Sequence, residues 1–117
     1  MLQAAHAAMF FWGIVGTPNN YAHAAQLLAH VYALHHLAKS ANFYVDKSNA
    51  FFRAAHNEPW EIAFTLLVNA NVAHVSGKAA QHKQLYEQAQ VCITNLLDPE
   101  DQKILQVSFA SVPKPQD

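Results

Sequence analysis

The 117-residue sequence contains few of the residues that interrupt helices and little charge. It has three Gly, five Pro and one Cys, and 13% of its residues are charged whereas 52% are hydrophobic. This apolar content excludes a disordered chain, because so many hydrophobic side chains would collapse together. The net charge of -1 argues against binding to nucleic acid or to an anionic membrane surface through a basic face. The single Cys92 excludes an intrachain disulfide and favours a reducing compartment.

The N-terminal third carries no charged side chain, since no Lys, Arg, Asp or Glu precedes Lys39. Its longest apolar run, residues 7–15, is nine residues long, whereas a helix that crosses a membrane needs about 20. The run also lacks the positive residues that begin a signal peptide. We therefore expect a cytoplasmic protein with no membrane partner.

Ala is the abundant residue, with 21 occurrences, and it is the strongest helix former. An Ala-rich chain with little Gly predicts an all-α fold. Thr17-Pro18, Glu58-Pro59 and Asp98-Pro99 are typical of helix starts, and Gly77 is typical of a helix end. Six helices are predicted, at about 2–15, 18–37, 40–55, 58–75, 78–96 and 98–110.

The predicted helices show helical periodicity and a repeat. In the second helix the residues that share one apolar face are Leu27, Leu28, Val31 and Leu34. When the sequence is aligned with itself at an offset of 41 residues, small residues coincide with small ones and large residues with large ones in three pairs: Ala29 with Ala70, Val45 with Tyr86 and Ser48 with Ala89. Short connections force consecutive helices to pack antiparallel, so a recurring pair predicts a repeat of helical hairpins.

The positions of these residues resemble the tetratricopeptide repeat (TPR). In the first unit the matching residues are Leu28, Ala29, Tyr32, Ala41, Val45 and Ser48. In the second unit they are Ala70, Ala73, Gly77, Tyr86 and Ala89. Asn69 and His82 depart from the pattern, because the family places a Leu and a small residue there. The resemblance covers about residues 22–96, and residues 6–32 also look like small bacterial TPR-like proteins of unassigned function.

The resemblance implies a right-handed α–α superhelix in a single domain over residues 1–112. The repeat units would span about 18–56 and 58–97. An N-terminal helix would pack against them, a capping helix would follow at about 98–110, and residues 113–117 would form a short tail.

The resemblance also implies a binding groove, because the first helix of each TPR hairpin lines the concave surface. The residues that would face this groove are His23, Gln26, His30, Asn71 and His74. Neutral imidazole and amide groups form hydrogen bonds with a peptide backbone. No Lys or Arg stands at these positions, which argues against the family's grip on a terminal carboxylate. The alternative interpretation is a solvated helix face.

An aromatic run, Phe10, Phe11 and Trp12, lies in the first predicted helix. Adjacent aromatic residues on one helix cannot all face the same core. The run is either enclosed by neighbouring helices of the same chain or covered by a partner or second subunit.

Catalytic and metal-binding patterns are absent from the sequence. The eight His residues include no pair at the i, i+4 spacing of a helical metal site, and His23 and His30 are about 10 Å apart along a helix. No phosphate-binding loop or nucleophile elbow occurs. We expect no enzymatic activity and no cofactor. The sequence favours a protein or peptide interaction module; the alternatives are a structural homodimer and a histidine-based metal-binding protein.

Overall fold

A computed structural model of the chain describes residues 18–54 and 58–115. Within these ranges the backbone forms five helices and no strand: α1 (Pro18–Leu34), α2 (Ala38–Ala54), α3 (Pro59–Val75), α4 (Ala79–Thr94) and α5 (Pro99–Phe109). The all-α class is therefore confirmed for this part of the chain, and none of these five helices is long and apolar enough to cross a membrane. The predicted helix over 2–15, with Phe10, Phe11 and Trp12, lies outside the described residues.

The chain divides into two compact units, Met1–His56 and Asn57–Asp117. This division falls between the two predicted repeat units, at about 18–56 and 58–97. The single domain over residues 1–112 stays a prediction.

The first helix ends in a turn in which His36 adopts a left-handed conformation, with φ of 59°. The N–H of Leu37 donates to the carbonyl oxygen of Tyr32 at 2.9 Å, and the N–H of His36 donates to that of Ala33 at 3.0 Å. This pair of hydrogen bonds is a Schellman motif, which closes a helix when one residue turns left-handed. Helix α1 therefore ends three residues before the predicted position 37, because the prediction depended on a Gly or Pro that this turn does not contain.

The first unit has a core of small side chains and a few large ones. Its wholly buried small residues are Ala25, Ala29, Ala41 and Ser48. Leu28 and Val31 form a hydrophobic cluster, against which Tyr32 and Tyr44 pack with their rings stacked 5.6 Å apart. The sequence predicts Leu27 on the same apolar face, but it is 41% exposed, because successive helical residues point about 100° apart.

The second hairpin begins at Pro59, as the sequence predicts. The residue before it, Glu58, donates its backbone N–H to Oε1 of Glu61 at 2.9 Å. This contact satisfies a backbone donor just before the helix, in the manner of a capping box.

The α3–α4 hairpin repeats the helix starts and the turn of α1–α2. Pro18 and Pro59 begin the two first helices 41 positions apart, and both helices have 17 residues. His36 and Gly77 are also 41 positions apart. Gly77 has φ of 75° and closes α3 with the same two hydrogen bonds, at 3.1 and 3.0 Å. The helix starts and the turn therefore recur along the backbone with the same 41-residue spacing as the sequence pattern.

The last helix, α5, is capped and attached to α4 by side chains. Oδ1 of Asp98 accepts from two backbone N–H groups of the first turn of α5, at 2.8 and 3.4 Å, which confirms the predicted N-cap. The amide nitrogen of Gln102 donates to the carbonyl oxygens of Ile93 and Thr94 at 3.2 and 3.1 Å. These bonds satisfy carbonyl groups that the end of a helix leaves without a helical partner.

Candidate functional site

Two histidine rings meet where α3 ends and α4 begins. His74 lies in the last turn of α3 and His82 near the start of α4, and the turn at Gly77 reverses the chain between them. The ring centroids are 4.9 Å apart and their planes are inclined by 53°. His74 is exposed, whereas His82 is only 4% exposed. The second unit thus has an exposed imidazole in contact with a buried one.

The buried ring of His82 connects α4 to the segment after α5. Its Nε2 lies 2.8 Å from the carbonyl oxygen of Pro113, and because a carbonyl only accepts, Nε2 carries the proton and donates. Val112, just before, is 3% exposed. One turn further along α4, the ring of Tyr86 lies 6.0 Å from His82 and 4.5 Å from Phe109. The polar contact therefore attaches the segment after α5 to α4, and the aromatic contact packs α4 against the end of α5.

A cavity of about 340 Å³ opens beside the two histidines. Its described lining comprises His74, Gly77, Ala79, His82, Pro113 and Lys114. Among these residues Lys114 is the one permanently charged side chain, and no carboxylate occurs. The cavity has the size of a small ligand site and suits a hydrogen-bond acceptor or a negative group.

The five residues predicted to line a groove are divided between the two units. The structure places His23, Gln26 and His30 on α1 of the first unit, and Asn71 and His74 on α3 of the second. Gln26, His30 and Asn71 are buried, with 0%, 7% and 1% exposure. His23 is half-buried and His74 is exposed. His23 and His74 are therefore the members of this set that present the more accessible surface to a ligand.

The buried His30 is a neutral group at pH 7. Burial lowers its pKa from the ordinary value of 6.5, because the charged imidazolium loses its hydration in the protein interior. Asn71 lies 41 positions later and is also buried. The first helix of each hairpin, α1 or α3, thus buries an uncharged polar side chain at the same position of the repeat.

The described residues include no group of three or more His, Cys, Asp or Glu that could hold a metal ion. Cys92 is a half-buried free thiol on α4. The other predicted interface, Phe10, Phe11 and Trp12, lies outside the described residues.

The residue that sequence reasoning did not assign to a site is His82. The 41-residue shift aligns it with Ala41, and both are buried. A polar ring in the place of a methyl group needs a hydrogen-bond partner when it is buried, and Pro113 provides it. The sequence shows that His82 replaces a small residue of the repeat. It does not show the hydrogen-bond partner of His82, which lies 31 residues further along the chain.

No family model, no curated protein and no solved structure matches this chain. A function for it therefore depends on its own features: the repeated hairpin, the accessible histidines of the two first helices and the cavity beside His74.

Proposed function

We propose that the chain is a non-enzymatic protein-interaction module of TPR-like construction, which binds a peptide segment of a partner protein. The repeated hairpin carries this proposal, because α1–α2 and α3–α4 begin and turn at equivalent residues 41 positions apart. Arrays of helical hairpins present extended surfaces suited to polypeptide ligands. The right-handed superhelical arrangement of the hairpins belongs to the proposal.

The proposed peptide contacts are made by His23 on α1 and His74 on α3. Each lies on the first helix of its hairpin and keeps accessible surface. Imidazole both donates and accepts hydrogen bonds, so it suits the alternating N–H and C=O groups of an extended peptide. Gln26 and His30 are buried on the same helix as His23, and Asn71 is buried on the same helix as His74.

The cavity beside His74 is the proposed anchor point for a peptide side chain. Lys114 at its edge and the absence of a carboxylate among its described lining favour an acidic side chain. His82 shapes this cavity while its Nε2 is engaged with Pro113, which suits binding better than proton transfer.

Selection from a random peptide library displayed on phage tests this proposal, because it requires no identified partner. Affinities of the selected peptides are then measured by fluorescence anisotropy for the wild type, His23→Ala, His74→Ala and the control His35→Ala. His35 is exposed in the turn after α1, outside the proposed surface. We expect His74→Ala and His23→Ala each to weaken binding by roughly fivefold, the value of one hydrogen bond of about 1 kcal/mol.

The control variant should bind like the wild type. Failure to select any peptide, or equal affinity of the wild type and both groove variants, would contradict the proposal. Enrichment of acidic peptides that bind His74→Ala weakly would support the cavity as the anchor point.

A structural homodimer is the second candidate function. Its specific support is the exposure of Ile104 and Val107, 62% and 70%, on α5. Such large apolar side chains next to one another on a surface favour association with another chain.

A further inference from the structure

Helix α5 has an inner and an outer face of different character. On the inner side Leu105 is 4% exposed, and Gln102 donates its amide to the end of α4. On the outer side Ile104 and Val107 are 62% and 70% exposed. These two residues are three positions apart, so they lie side by side on one helix face.

The outer face of α5 combines apolar side chains with charged ones. Exposed apolar side chains that lie next to one another favour association with another chain. Here a surface hollow of about 510 Å³ is lined by Glu100, Lys103, Ile104, Val107 and Ser108. Leu97, just before the helix, is 97% exposed. The apolar residues are therefore placed for contact with another chain.

We propose that the outer face of α5 docks against the same face of a second copy of this chain, antiparallel about a two-fold axis. A two-fold interface requires a surface that is complementary to itself. Glu100 and Lys103 fulfil this requirement, because they carry opposite charges on the same lining of the hollow. An axis that passes between positions 101 and 102 places Glu100 opposite Lys103 of the partner subunit, and the reverse pair forms by symmetry.

The same register also covers the exposed apolar residues. It places Val107 opposite position 96 of the second copy, next to the nearly fully exposed Leu97 of the partner subunit, and it places Ile104 opposite Pro99 of the partner subunit. The chain's net charge of -1 opposes association only weakly. Apolar contact thus provides attraction, and the two ion pairs determine the antiparallel register.

This inference rests on the second candidate function, the homodimer, and specifies its interface; it is independent of the proposed peptide binding, because it concerns α5 rather than the first helices of the hairpins. The two can fail independently. Peptide affinity is therefore also measured on a monomeric α5 variant, in which peptide binding should persist if both proposals hold.

Sedimentation equilibrium over a wide concentration range tests the proposed dimer. We expect a concentration-dependent dimer for the wild type and a monomer for Ile104→Glu, since a carboxylate would have to be buried at the interface. Glu100→Lys and Lys103→Glu should each weaken dimerisation by roughly tenfold, because each replaces two attractive pairs by two repulsive ones. The double variant Glu100→Lys/Lys103→Glu restores opposite charges and should recover the wild-type dissociation constant to within about threefold.

Lys83→Glu and Glu87→Lys provide matched controls. Both residues are exposed on α4, and both changes should leave dimerisation unaltered. Circular dichroism compares the helix content of all variants, and the recovery in the double variant separates a lost interface from a lost fold. A monomeric wild type, a dimer that survives Ile104→Glu, or a double variant no better than the single variants would each overturn the proposal. A dimer lost in Trp12→Ala but retained in Ile104→Glu would assign the interface to the N-terminal aromatic residues instead.

Discussion

Replacing His36 by Gly should stabilise the protein, although it removes a side chain. His36 has φ of 59° at the end of α1, a region in which a residue with a Cβ atom is disfavoured by about 1–2 kcal/mol. Gly removes this cost, but its greater freedom in the unfolded chain offsets about 0.4–1 kcal/mol. The expected gain in the free energy of unfolding is therefore roughly 0.8 kcal/mol.

Equilibrium urea denaturation, followed by circular dichroism, measures this change for a set of four proteins. The wild type and His36→Gly are compared with His36→Ala, which loses the imidazole but keeps the Cβ atom and its strain. Gly77→Ala supplies the reverse substitution at the equivalent position of the second hairpin. A Cβ atom at Gly77 meets no heavy atom within 4 Å, so its φ of 75° is the remaining source of destabilisation, about 1 kcal/mol.

The expected order of stability is His36→Gly, wild type, Gly77→Ala, with His36→Ala no more stable than the wild type. Equal stability of His36→Gly and His36→Ala would refute the reasoning, because it would show that the left-handed conformation carries no cost. Unchanged stability of Gly77→Ala would also refute the reasoning, because it would show that a Cβ atom at positive φ has no cost in the second hairpin.

Two further predictions concern the buried histidines. The lowered pKa of His30 means that the unfolded chain binds more protons than the folded protein at pH values below 6.5 and above the folded pKa. The free energy of unfolding should therefore fall as the pH is lowered from 7.5 to 5. His30→Asn, which copies the buried Asn71, should reduce this pH dependence, whereas the exposed control His35→Asn should keep it. An unchanged pH dependence in His30→Asn would assign the effect to other groups. His82→Ala removes the donor to the carbonyl of Pro113 and leaves space where the buried ring lay. We expect the free energy of unfolding in urea to fall by about 2–4 kcal/mol, and carboxypeptidase to cleave the C-terminal segment faster. His82→Gln, whose amide can also donate, should recover part of this stability, and equal stability of all three proteins would show that the contact contributes nothing.

The helix starts were predictable from sequence because their signals are local. Pro59 and Pro99 each follow a residue whose backbone or side chain completes the cap, and the structure begins α3 and α5 there. The end of α3 was equally clear, since Gly77 is the residue that adopts positive φ without strain. The end of α1 was not, because His36 adopts this conformation at a cost that the rest of the hairpin must offset.

The candidate site was less predictable, because periodicity defines a helix face but not what packs against it. His23, Gln26 and His30 follow a helical spacing and carry polar groups, so sequence alone suggests a solvated stripe. In the structure Gln26 has no exposed surface and His30 has 7%. Helical spacing shows which residues share a face, but it does not show which other elements cover that face.

The two hairpins begin and turn at equivalent residues but differ at the site. His74 and His82 occupy the places that Ala33 and Ala41 occupy 41 positions earlier. The two alanines are buried, with 1% and 0% exposure. In the second hairpin two imidazoles stand 4.9 Å apart beside a cavity of about 340 Å³, and Pro113 accepts the hydrogen bond of one of them. The equivalent positions therefore hold two buried methyl groups in one unit and two imidazoles beside a cavity in the other, which makes the second hairpin the place where a specific ligand contact is to be sought first.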